Sequence, residues 1–275
     1  MSAAAPSLSI KNLSLRFGGL QILHDIALSL RAGEVLGLIG PNGAGKSALV
    51  NCICGLYSPR AGSEIVFNGT SLIAIPPHRV AGLGITRTFQ HIHLVDSMSV
   101  IDNVMIGAAS QFRNGVLGRY FRAYGSARQE EAVRGRAMES LERCGIADVA
   151  QQAVSRLPLG VRRRIDLARA LVRTPKLLLL DEPASGLASD ERALVRDLVA
   201  IAQKDNDVAV IWIEHDLDLV VSAASRVAVL HHGRVVTEGS PRDSEAERKR
   251  LIDAYLTGTI GETKPERDRI GAGSR

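Results

Sequence analysis

The sequence predicts an α/β protein: a parallel-sheet core, preceded by an antiparallel β-layer and interrupted by an inserted α-helical subdomain. Three observations carry this. Short apolar runs alternate with helix-patterned stretches in the order that builds parallel βαβ units. The opening stretch clusters its apolar residues as paired strands do, around a Gly18-Gly19 turn signal. A long helix-patterned segment then separates the two parts of the core.

Residues 8–17 and 26–30 read as strands of the β-layer. Residues 34–39 form a short apolar strand that runs into a glycine-rich loop, and residues 47–56 read as a helix stopped by the stretch 55–59, which holds Gly55 and Pro59. Ser99, followed three residues later by Asp102, resembles a capping box ahead of the apolar stripe Val100, Val104 and Ile106. Residues 128–144 continue in helical pattern, so the stretch from about 91 to 165 reads as helical. Strand character returns at 176–180 and 208–213 around a helix-like stretch 191–204, the alternation of a parallel sheet. Residues 226–230 and 234–237 bracket His231-His232-Gly233 as a hairpin. The tail from 258 to 275, rich in charge, Gly and Ser, is expected to be disordered.

Composition bounds the function. With 275 residues, 45% hydrophobic and 23% charged, the chain can bury a substantial core. A net charge of +5 raises nucleic acid or an anionic membrane surface as partners, yet 34 basic residues against 29 acidic ones is too even a balance to decide it. Cys52, Cys54 and Cys144 cannot all pair among themselves, and residues two apart on a helix point away from each other, so they read as reduced core residues. Apolar runs such as 177–180 fall far short of the roughly 20 residues a membrane span needs. Residues 1–6 lack the basic and apolar regions of a secretory signal, so export is not expected.

The chemistry lies in two segments. Gly40, Pro41, Asn42, Gly43, Ala44, Gly45, Lys46 and Ser47 satisfy GxxxxGK[ST] between a strand and a helix, the context in which that pattern is a phosphate-binding loop. Glycines let backbone N–H groups converge on phosphate oxygens, the helix N-terminus adds partial positive charge, Lys46 neutralises the β/γ-phosphates, and the Ser47 hydroxyl suits Mg²⁺. The bland alternative is a chance glycine turn with a solvated lysine.

The second segment, 177–182, is a run of four leucines ending in Asp181 and Glu182. An apolar strand end bears two carboxylates at a cost, which a cation or a reaction explains: Asp181 for Mg²⁺, Glu182 to polarise an attacking water. Alone, the pair would read better as an acidic helix start before Pro183. With the phosphate loop upstream, the catalytic reading prevails, and the fold class sharpens to a P-loop NTPase of RecA-like type.

More than a hundred residues separate Lys46 from Asp181, far more than one crossover helix needs, so a subdomain is inserted between them. With this insertion the chain resembles the ATP-binding subunits of ABC transporters over residues 7–257. The resemblance implies a core of 7–90 and 166–257 and a helical subdomain of 91–165. It implies that Gln90, closing Thr88-Phe89-Gln90, touches Mg²⁺ or the attacking water and reports to a membrane partner. It implies that His215 is the switch histidine on the γ-phosphate and that Phe17 stacks on adenine, though taken singly these read as an ordinary loop residue, a structural histidine and a core phenylalanine.

Two departures from the family stand out. Its signature loop, usually Leu-Ser-Gly-Gly-Gln, aligns with Leu157-Pro158-Leu159-Gly160-Val161, which lacks the serine and the glutamine. In the family two such subunits sandwich ATP, so this loop serves the partner's nucleotide; Gly160 and the helix N-terminus behind it still can. Ala48 replaces a second hydroxyl of the phosphate loop, an expected loss of ~1 kcal/mol in nucleotide affinity.

Arg87-Thr88-Phe89-Gln90-His91, the stretch 99–104, the long insertion and the ending 252–256 resemble the longer ATPase subunit of branched-chain amino-acid importers, related systems of which move urea, amides or aromatic acids. The resemblance implies ATP and Mg²⁺ as cofactors, a second ATPase subunit in a homo- or heterodimer, transmembrane permeases, an indirect solute-binding protein, no nucleic acid, and a peripheral place on the cytoplasmic face of the inner membrane. The lipopolysaccharide-transport ATPases are a second resemblance, and a soluble ABC ATPase acting on ribosomes or nucleic acid a third reading. The transported solute cannot be read from an ATPase subunit, which never meets it.

Overall fold

The structure, a computed structural model, describes residues 7–88, 92–108 and 125–258. Gln90, His91 and the tail beyond Gly258 lie outside the described residues. The α/β class expected from the sequence holds. Strands β1 (Leu8–Phe17), β2 (Leu20–Leu30), β4 (Glu64–Phe67) and β5 (Thr70–Ser71) form an antiparallel sheet in the order β2-β1-β4-β5. A second sheet has the order β10-β9-β3-β8-β7-β6, built from β3 (Val35–Ile39), β6 (Ile85–Arg87), β7 (Leu177–Asp181), β8 (Ala209–Ile213), β9 (Arg226–His231) and β10 (Arg234–Gly239). Its pairings are parallel except for the β9–β10 hairpin.

The second sheet is covered on both faces, which is why its strands read as unbroken apolar runs. Period-two alternation divides each strand between two cores. Leu178, Leu180, Val210, Trp212, Val227 and Val229 face one core, with the helices. Leu177, Leu179, Ala209, Ile211, Ala228 and Leu230 face the other, with the antiparallel sheet and helix α1 (Lys46–Ile53).

The remaining helices are α2 (Pro77–Gly82), α3 (Val100–Gly107), α4 (Gly125–Arg143), α5 (Leu159–Leu171), α6 (Ser189–Asn206), α7 (Leu217–Ala223) and α8 (Glu245–Thr257). Ser99 caps α3 as its sequence predicts, its Oγ accepting the N–H of Asp102 at 3.2 Å. α3, α4 and α5 pack on one another through Val104, Val133, Ala137, Leu141 and Ile165.

Three expectations need correction. Helix α1 ends at Ile53, not at residue 56. Gly55, just past that end, has φ +71°, and a Cβ on it would lie 2.5 Å from the carbonyl oxygen of Ile75, so only glycine fits the left-handed turn that follows the helix. The stretch 91–165 is only partly helical: residues 92–98 carry no helix, and two short 3₁₀ turns, Ala147–Val149 and Val154–Arg156, interrupt the run between α4 and α5. Cys54 is half-buried, unlike Cys52 and Cys144; all three are free thiols, and burial pushes the latter two up to about 12, so they stay protonated.

Candidate functional site

Strand β3 delivers the loop 40–47 to the N-terminus of α1. The loop needs glycine at two places for steric reasons. A Cβ on Gly40 would fall 2.0 Å from the carbonyl oxygen of Leu230, and Gly45 caps α1 with φ +106°, where side chains are strained. The turn is closed by the Ala44 N–H, which donates to Pro41 O at 3.2 Å, and it is tied to the β9–β10 hairpin by the Gly233 N–H, which donates to Ala44 O at 2.9 Å. Asn42, Gly43 and Ser47 are exposed, so the α1 N-terminus faces outward with the Ser47 hydroxyl on it.

Lys46 folds back over this loop. Its Nζ donates to the carbonyls of Gly40 at 2.6 Å and Pro41 at 3.0 Å, and the residue is only 6% exposed. Burial lowers its pKa, while the nearby charges of Glu182 and Asp181 pull it back up. The ammonium is thus enclosed, and both carboxylates lie near enough for their charges to act on it.

Asp181 and Glu182 stand at the end of β7, between β6 and β8. Asp181 is buried and ion-paired through Oδ2 with Nη2 of Arg87 at 2.7 Å, while the same guanidinium reaches Asn51 Oδ1 on α1. Glu182 adopts φ +51°, the left-handed region that a side chain rarely takes, and its N–H donates to Ile213 O at 2.9 Å. Its Oε1 is in hydrogen-bond contact with Nε2 of His215, just past β8.

Glu214 lies beneath this pair. It is 3% exposed, its Oε1 accepts the Ala184 N–H at 2.8 Å, and burial raises its pKa, with Glu182 pushing the same way and that backbone N–H opposing. The loop after Glu182 is therefore pinned to the end of β8.

The structure brings Lys46, Asp181, Glu182 and His215 together around the loop 40–47. Phe17 ends β1, 48% exposed, its ring near-perpendicular to that of Tyr57. Ala48 is half-buried on α1. Gly160 sits in the first turn of α5, where the atoms nearest a built Cβ belong to the Glu191 side chain. Gln90 is outside the described residues. Sequence reasoning missed Arg87, Asn51 and Glu214; the one signal available was an arginine and a glutamate beside motif residues, and neither spacing announces its partner, ninety-four residues away for Arg87 and thirty for Glu214.

A strand-loop-helix phosphate cradle with a buried lysine, facing two carboxylates at the end of a neighbouring parallel strand, defines a nucleoside-triphosphate hydrolase. The ABC transporter family model matches residues 23–185. The LivG protein of Escherichia coli K12, a high-affinity branched-chain amino acid transport ATP-binding protein, is 35% identical over 91% of this chain and 98% of its own length. BraF of Pseudomonas aeruginosa, of the same description, is 32% identical over the same shares. Among solved structures, the ADP form of MJ1267, an ATP-binding cassette of an ABC transporter, superposes with TM-score 0.78 at 24% identity, over 92% of this chain and all of that one. The cbiO1 subunit from Clostridium perfringens gives 0.76 at 27% identity over 92% and 95%. The chain belongs to the ABC transporter family as an ATP-binding, ATP-hydrolysing protein.

Proposed function

We propose that this chain energises uptake of branched-chain amino acids, or of related small solutes such as amides, urea or aromatic acids, from the cytoplasmic face of the membrane. The observation that carries the ATPase reading is the enclosure of Lys46 beside Asp181 and Glu182, with His215 touching Glu182. The likeness to LivG and BraF over nearly their whole length supports the solute class. No helix among the described residues is long and apolar enough to cross a membrane, so passage of solute needs partner subunits.

The loop 40–47 binds the triphosphate through its backbone N–H groups and the α1 N-terminus; Lys46 leaves the Gly40 and Pro41 carbonyls for the β/γ-phosphates. The Ser47 hydroxyl and Asp181 carboxylate are hard oxygen donors of the kind magnesium accepts, and no group of three or more His, Cys, Asp or Glu among the described residues makes a softer site. Magnesium, when bound, would offset the charge on the phosphates. Glu182, its backbone held in a strained turn, aims the water, and His215 orients that carboxylate and meets the γ-phosphate. The resemblance to the family assigns Gln90 to magnesium or to the attacking water. Phe17 stacks on the base, and Gly160 at the head of α5 serves the nucleotide of a second ATPase subunit.

A cleft of about 400 Å³ opens between α2 and β6 on one side and α3 and α5 on the other. Its lining includes Arg87, His93, Asp166, Arg169 and Arg173, with Leu56 and Ile106 exposed at the rim. A permease segment docking here would touch Arg87, and through it Asp181.

The test is nucleotide binding and turnover in purified protein. Lys46→Ala abolishes ATP binding; Glu182→Gln keeps ATP, loses hydrolysis and accumulates a closed dimer with permease subunits attached. Unimpaired Mg-ATP binding by Lys46→Ala would sink the reading.

A further inference from the structure

Phe17 closes β1 at the Gly18-Gly19 turn and is 48% exposed. Its ring meets that of Tyr57 with centroids 4.9 Å apart and planes at 85°. In such a T-shaped pair the edge of one ring meets the face of the other, so Tyr57 leaves at least one face of Phe17 open whichever way the pair is built.

Tyr57 is itself fixed. The N–H groups of Leu56 and Tyr57 both donate to Asn51 O, at 2.9 and 3.2 Å, on the last turns of α1. Three residues on, the Arg60 N–H donates to Ser14 O at 2.8 Å, on β1. The segment 56–60 is therefore stapled to the helix whose other end is Lys46 and to the strand whose end is Phe17.

We propose that Tyr57 is a positioning residue for the nucleotide: it holds the Phe17 ring in this T-shaped pair, so that the open face stands at a set distance from the loop 40–47 to receive the base. This rests on the reading that Phe17 stacks on adenine. A half-exposed phenylalanine beside two glycines would otherwise exchange rotamers, and ordering it on binding costs affinity. The edge-to-face contact supplies that order in advance, an effect of about fivefold in affinity.

The base and phosphate contributions separate by comparing Mg-ATP with Mg-tripolyphosphate, which lacks the base, by calorimetry on the full chain. Tyr57→Ala is expected to weaken ATP about fivefold and leave tripolyphosphate unchanged, and Tyr57→Phe to match the parent for both. Phe17→Ala should show a selective loss at least as large. Should Tyr57→Ala change neither affinity, or weaken both equally, while Phe17→Ala keeps its selective loss, the role of Tyr57 is overturned and the stacking reading stands. Should Phe17→Ala leave the ratio of the two affinities unchanged, the stacking reading itself fails and takes this inference with it. If Tyr57→Ala does not fold, Tyr57→Leu keeps apolar bulk without an aromatic ring and is expected to show the same selective loss; its absence overturns the proposal.

Discussion

Arg87 donates from Nη2 to Oδ2 of Asp181 across 2.7 Å, with the two side chains 11% and 4% exposed. The pair joins the last residues of β6 and β7, which run in parallel register from Ile85 opposite Leu177 to Arg87 opposite Leu179. Burying Asp181 at the end of a leucine strand would be costly without a cation, and Arg87 supplies one.

Arg87→Ala is therefore expected to cost about 3 kcal/mol of folding stability, because it strands a buried carboxylate and breaks the bridge to Asn51 on α1. Urea unfolding of the isolated chain measures this. Arg87→Lys, which keeps the charge and loses the two-armed geometry, should recover part of the loss. A loss below ~1 kcal/mol for the alanine variant would mean that Asp181 draws its compensation from Lys46 instead.

Glu214 gives a pH-dependent expectation. Burial raises its pKa above the ordinary 4.5, so the folded chain keeps this proton at a pH where the unfolded chain has released it. Rising pH above 4.5 then favours unfolding, until the folded-state carboxyl has also ionised. Glu214→Gln does not titrate, and its amide oxygen can still accept the Ala184 N–H. The stability of the variant relative to the parent should thus climb as pH is raised above 4.5 and level off once the folded-state carboxyl has ionised, in paired unfolding curves. Asp166, whose pKa burial also raises, is present in both proteins and cancels. A difference that stays flat with pH would show that Glu214 ionises as freely in the fold as out of it.

What the sequence makes legible is what chemistry forces into consecutive residues. The loop 40–47 is readable because backbone groups on one turn must converge on one ligand, and β7 because a strand covered on both faces must be apolar at every position up to Asp181. Arg87 was not readable as the partner of Asp181, because their contact spans ninety-four positions and depends on β6, three residues long, finding β7 as its neighbour. The need for glycine at 55 was hidden for the same kind of reason: the group a side chain there would strike is the carbonyl of Ile75, set by the tertiary fold. The strain at Glu182 leaves no mark in composition at all, since a glutamate at φ +51° is spelled like any other.

The head of α5 carries the loop that lacks the serine and the glutamine of the family pattern. Pro158 caps the helix with extended backbone and no side-chain hydrogen bond, Leu159 is 48% exposed, and a Cβ on Gly160 would fall 1.6 Å from Oε1 of Glu191. That carboxylate, which also accepts the Ala188 N–H at 3.1 Å, stands against the turn where a partner's phosphate would approach. A hydroxyl and a free N–H at 158 and a small residue at 159 would add donors to that turn and remove an exposed apolar side chain. Pro158→Ser combined with Leu159→Gly is accordingly expected to raise the ATPase rate of the assembled transporter about tenfold, the equivalent of one charge-assisted hydrogen bond in the transition state. On the proposed reading, in which this loop serves the nucleotide of a second subunit, the isolated chain should gain nothing from the change. Adding Glu191→Gln should raise the rate further by removing the facing charge. An unchanged rate in the assembled transporter, with the doubly substituted subunit incorporated normally, would mean that this loop has ceased to act on the partner's ATP.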